Sequence, residues 1–244
     1  MKNKKILKTN NTKQPGVKDR RRFLKLSGMA VVGSGLLMAC SDDDDAINQP
    51  PDNIFDLGSG DLGVLNYAFA LEQLEADFYT KVLDGTYWAS ANAEEKQILE
   101  DLYNHEVNHR EFFSAAISAA VGSNTMAKLP DLEFDYGDLD FGNRDQVLAT
   151  AKTLEDTGVS AYNGAGRLLT DPQNLVLAGK IVSVEARHAS AIRTLINPGS
   201  ADFAGDDIVD PVTGLDVAQD PSEVIAAVSN TGFIITPFTA NSLP

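Results

Sequence analysis

Apolar residues recur every three or four positions in four stretches of the chain, and this period predicts amphipathic α-helices. The predicted helices cover residues 61–83, 93–121, 143–169 and 174–195. Each is longer than the average helix of a globular protein, as is usual in helical bundles. The sequence Asn197-Pro198-Gly199 predicts the end of the fourth helix.

The connections between the four helices differ in length. About nine residues join the first two helices, and a short turn near Asp171-Pro172 joins the last two. Residues 122–142 form a much longer crossover between the second and third helices. This pattern predicts an all-α bundle made of two antiparallel hairpins. We expect helices one and two to be antiparallel, and helices one and three to be parallel or nearly so.

Four glutamates lie within the apolar stripes, one on each predicted helix. A buried carboxylate is costly unless it is paired or bound to a metal. A glutamate on a mixed stripe can also be half exposed, so one alone indicates little. The four residues are Glu72, Glu106, Glu155 and Glu185.

The chain has only three histidines, and two of them follow a stripe glutamate by three positions. His109 follows Glu106 and His188 follows Glu185, so each pair shares one face of its helix. One bundle core would then receive four carboxylates and two imidazoles, although a lone core histidine is commonly structural. Two divalent cations would neutralise the four negative charges. Hard carboxylates with imidazole suit iron first, then manganese, with zinc also compatible.

A second regularity relates the two halves of the chain. Tyr79 follows Glu72 by seven positions, and Tyr162 follows Glu155 by the same interval. Each half therefore reads as Glu-x6-Tyr on one helix and Glu-x-x-His on the next, which indicates pseudo-two-fold symmetry around a metal pair. The two tyrosines could also be ordinary core aromatic residues.

Two further residues test this repeat. Glu75 lies one turn from Glu72 and could compete with it as a ligand, but it aligns with Gly158, so Glu72 is preferred. His105 aligns with Val184 and therefore breaks the symmetry. We expect His105 to support a ligand or to be structural.

Four segments together resemble the ferritin-like superfamily, in which two helices each supply a Glu and two others each supply Glu-x-x-His. More narrowly, residues 61–200 are similar to bacterial ferritin-like domain proteins related to plant desiccation-associated proteins. The segments are LNYAFALEQLEADFY, HEVNHREFF, ATAKTLEDTGVSAY and IVSVEARHASAIR.

The resemblance implies a role for each residue of the site. Glu72 and Glu155 would be terminal ligands, and Glu106 and Glu185 would bridge two metal ions. His109 and His188 would each bind one ion. Tyr79 and Tyr162 would donate hydrogen bonds to the carboxylates.

The first 39 residues predict an export signal. RRRFLK, residues 20–25, resembles the twin-arginine motif. The apolar run from Leu26 to Ala39 has 14 residues, which is short for a membrane span. It ends in Leu-Met-Ala-Cys40, which resembles a lipobox, so we expect lipidation at Cys40. Cys40 is the only cysteine, which excludes an internal disulfide and a Cys-rich metal site.

Residues 40–60 predict an acidic tether that follows the signal. Its Ser-Asp-Asp-Asp-Asp sequence, residues 41–45, resembles the tag that sends some lipoproteins to the cell surface. We therefore expect an exported, membrane-anchored lipoprotein on the periplasmic or the cell-surface side. Removal of residues 1–39 takes away ten basic residues and one acidic residue and changes the formal charge from −15 to −24. Such a charge argues against nucleic acid as a partner.

Residues 201–244 form a C-terminal tail after the bundle. A short helix is predicted at residues 221–228, and the apolar sequence Phe233-Ile234-Ile235 is expected to pack on the bundle.

A carboxylate-bridged pair of redox metals can bind O2 or peroxide, so the first functional hypothesis is oxidation of Fe(II) or disposal of peroxide outside the cytoplasm. The alternative is a non-enzymatic stress- or desiccation-protection or binding protein that uses the bundle as a scaffold. The resemblance also leaves open a homodimer.

Overall fold

The fold is an all-α bundle, as the sequence predicted. The structure is a computed structural model that describes residues 54–244. Its four long helices overlap the predicted ones and differ from them by at most three residues at either end, and two shorter helices and two short strands accompany them. The helices are α1 Gly60–Asp84, α2 Thr86–Ser90, α3 Ala93–Val121, α4 Arg144–Gly166, α5 Pro172–Ile196 and α6 Pro221–Thr231, and the strands are β1 Phe55–Asp56 and β2 Phe238–Thr239.

Side-chain caps mark the starts of three long helices. The side chains of Asn92, Asn143 and Asp171 accept backbone N–H groups in the first turns of α3, α4 and α5. These N–H groups have no partner within the helix, so a cap stabilises the helix start. Pro172 then occupies the first turn of α5, where its missing N–H costs nothing.

The direction of one helix relative to another differs from the prediction. Asp61, at the start of α1, accepts a hydrogen bond from the Thr170 hydroxyl, just after α4, at 2.7 Å. Tyr79, near the end of α1, bonds to Glu155 at the middle of α4. Helices α1 and α4 are therefore antiparallel, and the prediction that helices one and three are parallel was wrong.

Helices α3 and α5 are also antiparallel to each other. Arg144 donates to the Glu95 carboxylate near the start of α3 at 2.7 Å and to the Leu195 carbonyl near the end of α5 at 2.8 Å. Each helix thus runs against both of the neighbours that it contacts.

The crossover, residues 122–143, explains why α4 is antiparallel to α1, because the crossover runs along the length of α1. The Leu129 N–H donates to the Asn66 side chain at 3.0 Å, and the Leu132 N–H donates to the Gln73 side chain at 2.8 Å. Farther along, the Phe141 carbonyl accepts a hydrogen bond from the start of α2. The chain therefore returns to the end of the bundle where α1 finishes, and α4 begins there.

Both ends of the described chain pack on the bundle. β1 pairs with β2 in parallel, and Leu57 is fully buried in the core. The last residues of the predicted tether, from Phe55 onward, therefore belong to the folded domain. In the tail, α6 buries Val224 and Val228, and Phe233 packs against the core, whereas Ile235 is about half exposed.

Arg193 fixes the segment that precedes α6. It is buried on α5 and forms paired hydrogen bonds with Asp156 on α4 and with Asp207 of the tail. A buried guanidinium is tolerated when carboxylates pair with it, and Arg193 has two such partners.

None of the helices within residues 54–244 is both long enough and apolar enough to cross a membrane. The predicted export signal, the lipobox cysteine Cys40 and the acidic run lie outside the described residues.

Candidate metal centre

The six side chains predicted as metal ligands converge in the middle of the bundle. The four glutamates are fully buried, and His188 is almost so. The His109 side chain is 13% exposed, so it is the most exposed of the six. The six residues are Glu72 on α1, Glu106 and His109 on α3, Glu155 on α4, and Glu185 and His188 on α5.

The first group of ligand atoms surrounds His109. Its Nδ1 lies 3.3 Å from Glu72 Oε2, 3.2 Å from Glu106 Oε2 and 3.0 Å from Glu185 Oε1. The ligand atoms of these four residues all lie within 4.8 Å of one another, so one cation could contact all four.

The second group surrounds His188 in the same way. Its Nδ1 lies 2.7 Å from Glu106 Oε1, 3.4 Å from Glu155 Oε2 and 3.7 Å from Glu185 Oε2. Glu106 and Glu185 belong to both groups and offer one oxygen to each histidine. That sharing is the arrangement expected of carboxylates that bridge two ions.

The helix period explains why these groups meet. Residues three apart on a helix lie on the same face, so each Glu-x-x-His sequence presents both side chains to the core. Each group draws residues from both hairpins, because Glu185 of the second hairpin completes the first group and Glu106 of the first hairpin completes the second. The site therefore forms only when the two hairpins pack together.

The two tyrosines bind carboxylates in a crossed arrangement. The Tyr79 hydroxyl donates to Glu155 Oε1 at 2.5 Å, and the Tyr162 hydroxyl donates to Glu72 Oε1. Each tyrosine thus orients the glutamate of the other repeat, which the Glu-x6-Tyr spacing did not indicate. Burial and the neighbouring carboxylates raise the pKa of both tyrosines, so they remain hydrogen-bond donors.

Burial has the largest effect on the pKa of two glutamates. It raises the pKa of Glu72 well above its ordinary value, although His109 opposes the rise. Burial likewise raises the pKa of Glu155 to about 7 against the opposing effect of His188. Glu106 differs, because the close imidazoles of His109 and His188 together outweigh burial and hold its pKa well below the ordinary value.

The carboxylates also shift both histidines. Burial alone would lower the pKa of His109, but Glu72 and the contacts with Glu106 and Glu185 raise it well above its ordinary value. The pKa of His188 is raised for the same reason, chiefly by Glu155 and Glu106. Protons therefore balance the carboxylates in the metal-free protein, and a metal ion would displace them when it binds.

Buried polar atoms without hydrogen bonds indicate that these residues fit metal ions. Six buried atoms of the cluster lack an oriented hydrogen bond among residues 54–244. Native proteins rarely leave buried polar atoms unpaired without a functional reason. These atoms are carboxylate oxygens and an imidazole nitrogen, which are ligands for hard divalent cations. The six atoms are Glu72 Oε2, Glu106 Oε1, Glu155 Oε2, both oxygens of Glu185, and His188 Nδ1.

His105 contacts the second histidine. Its Nδ1 lies 2.9 Å from His188 Nε2, and the two rings stack with centroids 5.1 Å apart and planes 8° apart. His188 therefore faces the carboxylates with Nδ1 and faces His105 with Nε2. The broken alignment at position 105 was the available sequence signal for this asymmetry.

An α-helical bundle with a buried carboxylate and histidine cluster defines a class of proteins whose core could hold metal ions. The family model described as "Ferritin-like domain" matches residues 60–198, more than half of the 244-residue chain. The chain therefore belongs to the ferritin-like domain family. A search of curated proteins found no match to this chain.

Proposed function

We propose that this protein binds two divalent metal ions and uses them to oxidise Fe(II) or to dispose of peroxide outside the cytoplasm. The observation that carries the proposal is the sharing of Glu106 and Glu185 between two groups that each contain one histidine. Four carboxylates balance the charge of two divalent ions. Iron fits this ligand set best, followed by manganese, with zinc also compatible.

Each residue would have its own role at the metal pair. Glu72 and His109 would bind one ion, Glu155 and His188 the other, and Glu106 and Glu185 would bridge them. Tyr79 and Tyr162 would keep the terminal carboxylates oriented through their hydroxyl groups. The buried surroundings would keep bulk water from the site.

When bound, two redox-active divalent ions would supply two electrons, which with two protons would reduce one molecule of hydrogen peroxide to two molecules of water. The carboxylates that bind the ions would already have lost their protons, so solvent would supply the two protons.

Export and membrane attachment form part of the proposal. The twin-arginine sequence and the lipobox support transport of a folded, metal-loaded protein and attachment through a lipid on Cys40. The acidic run after Cys40 supports a periplasmic or cell-surface location. A homodimer and a relation to desiccation-associated proteins are compatible with this function.

A second candidate is a protective protein that binds metal without turnover. The observation that favours it is that each metal group joins both hairpins, so that bound ions would hold the bundle together. The two candidates share the metal site and differ in whether Fe(II) and peroxide are consumed.

Metal analysis tests the shared site. We expect two ions per chain in protein purified from its native compartment. Glu106→Gln should lower the affinity for both ions because both lose a ligand, whereas Glu72→Gln should lower chiefly the affinity for one. Glu111→Gln is the matched control, since it removes a charge from the exposed face of the same helix. Equal stoichiometry and affinity in the unsubstituted protein and in Glu106→Gln would refute the proposal.

Anaerobic mixing of Fe(II)-loaded protein with hydrogen peroxide separates the two candidates. Turnover predicts that two Fe(II) disappear for each peroxide, at a rate that Glu106→Gln lowers and Glu111→Gln does not. Intact metal binding without peroxide consumption would favour the protective role.

A further inference from the structure

A cavity of about 200 Å³ lies between α4, α5 and residues 200–217 of the tail. Its lining, all of it within residues 54–244, contains none of the six residues of the metal cluster. Pockets for drug-sized ligands measure roughly 300 to 1,000 Å³, so this cavity suits a smaller molecule. Most of the lining is apolar, and it includes Val159, Ala186, Ala189, Ile208, Val209 and Val217.

Contacts between its walls hold the cavity open without a ligand. Arg193 on α5 bonds both to Asp156 on α4 and to Asp207 of the tail, at 2.7 and 2.8 Å. The Gln219 N–H donates to the Ser160 carbonyl at 3.0 Å, and the Ser160 hydroxyl donates to the Gln219 side chain at 2.9 Å. The tail is thus tied to both helices, and the cavity is already formed, as is usual for ligand sites.

The charged side chains of the lining are both acidic. They are Asp156 and Asp216. Arg193 pairs with Asp156, whereas Asp216 pairs with no Lys, Arg or His within residues 54–244. Residues 200–217, which form one wall, include five aspartates and no basic residue. The mouth of the cavity therefore carries an uncompensated negative charge, which favours a cationic ligand.

The rim of the cavity also carries an aromatic ring. Phe203 is part of the lining, yet it is 53% exposed, so its ring lies where the cavity meets solvent. The face of an aromatic ring attracts a cation, and the attraction grows when water is excluded. The ring and the Asp216 carboxylate beside an apolar floor suit a ligand that has a positive charge on an apolar body.

The apolar floor limits the kind of cation. A primary ammonium group has three N–H donors, and each costs free energy if it is buried without an acceptor. Polar groups of the lining are already engaged, because the Ser160 hydroxyl bonds to Gln219 and both oxygens of Asp156 bond to Arg193. A quaternary ammonium group presents methyl groups instead of donors, so it can contact the floor and keep its charge.

We propose that this cavity binds a small quaternary ammonium group. Its methyl groups contact the apolar floor, and its charge lies between the Phe203 ring and the Asp216 carboxylate. The site is separate from the metal cluster and does not depend on the function proposed for the metal pair.

Choline and two related molecules test the charge and the methyl groups separately. The carbon isostere of choline, in which carbon replaces nitrogen, has the same shape without the charge. Ethanolamine has the charge without the methyl groups. In NMR titrations at about 0.15 M salt, which screens exposed charges, we expect choline to bind at least about tenfold more tightly than either molecule.

Three substitutions test the individual contacts. Asp216→Asn should lower the affinity for choline about fivefold, the upper range for an ion pair that water reaches. Phe203→Leu should lower it about two- to fivefold, because leucine is apolar but has no ring. Ala186→Leu should abolish binding because it fills the space. Asp138→Asn is the control, since it removes an exposed acid of the crossover, and it should change nothing.

Vesicles of phosphatidylcholine identify the source of the quaternary ammonium group. The Cys40→Ala variant is used here, so that the proposed lipid anchor does not itself attach the protein to the vesicles. Vesicles that compete with choline would support the proposal and make a lipid headgroup the ligand. Vesicles that do not compete, with choline still bound, would support it and make the ligand a free small molecule.

Four outcomes would overturn the assignment. The first is no choline binding to the unsubstituted protein, and the second is equal affinity for choline and its carbon isostere. The third is binding that survives both Asp216→Asn and Phe203→Leu, which would show general attraction to an acidic surface. These two positions are exposed, so the variants remain informative if Ala186→Leu does not fold. The fourth is a dimer that Ala186→Leu abolishes and choline does not, since a second copy would then fill the cavity.

Discussion

At the residue scale, the two histidines of the cluster have different neighbours. His188 has the His105 ring stacked on it and a 2.9 Å contact from its Nε2, whereas the residue aligned with His105 in the other repeat is Val184. A hydrogen bond to the second nitrogen of a metal-binding histidine fixes its tautomer and orientation. We therefore expect the metal position at His188 to be the better defined of the two.

This asymmetry gives a prediction for His105→Phe. Phenylalanine keeps a stacked ring but cannot accept a hydrogen bond from His188. We expect the affinity for one of the two ions to fall by about 10- to 100-fold, with the other within about threefold. Titration with Co²⁺, followed by its visible spectrum, measures both steps.

His105→Asn is the matched control, because the asparagine oxygen can stand in for Nδ1 as an acceptor. It should restore the affinity. In a His188→Ala background, His105→Phe should have no further effect. An equal loss at both positions would contradict the prediction.

The raised pKa of Glu155 predicts a pH dependence of the metal-free protein. The folded protein holds this proton up to about pH 7, whereas an unfolded chain releases it near pH 4.3. The stabilising contribution is complete below about pH 4.3 and is lost as the pH rises through about 7. We expect the unfolding free energy of the unsubstituted protein, measured relative to Glu155→Gln, to fall by about 3 to 4 kcal/mol over this range.

Urea unfolding in the presence of a chelator, at several pH values, measures this difference. A metal-loaded sample should show the opposite trend, because deprotonated ligands bind metal more tightly. If the difference in unfolding free energy between the two proteins does not vary with pH, the pKa of Glu155 is not raised in the folded protein.

At the element scale, the sequence predicted the four helices and their inner faces but not every direction. The convergence of the six side chains was predictable because each lies within the apolar stripe of its helix, which depends on the helix period. The direction of α4 was not, because a crossover of about 20 residues can either turn back or run the length of the bundle. Contacts such as Leu129 with Asn66 decide the path, and they join residues distant in sequence.

The docking of the tail on α4 gives a second element-scale prediction. A Cβ atom on Gly164 would lie 1.7 Å from the Gln219 carbonyl oxygen, so only glycine permits this approach. We expect Gly164→Ala to lower the unfolding free energy by about 1 to 3 kcal/mol and to expose the tail to proteases.

Gly179→Ala on α5 is the control, since nothing lies within 4 Å of the new atom. It should stabilise the helix by up to about 1 kcal/mol. Equal proteolysis of both variants would contradict the tail contact.

At the scale of the whole molecule, the proposed lipid anchor can be tested apart from the bundle. Cys40→Ala should abolish labelling by a fatty-acid probe and release the protein from membranes, while its melting temperature with bound metal stays the same. Replacement of Arg20 and Arg21 by lysine should retain the precursor inside the cell. Membrane-bound, labelled protein from Cys40→Ala would refute the anchor.

The pairing of β1 with β2 brings the two ends of the domain together. The Asn241 N–H and the Thr239 hydroxyl both bond to Asp56 Oδ2, at 3.2 and 2.9 Å. A force applied through residues before Ile54 would therefore load this parallel ladder in shear before it reached any helix of the bundle. A protein held on a membrane by its leading end would thus be shielded mechanically at its centre.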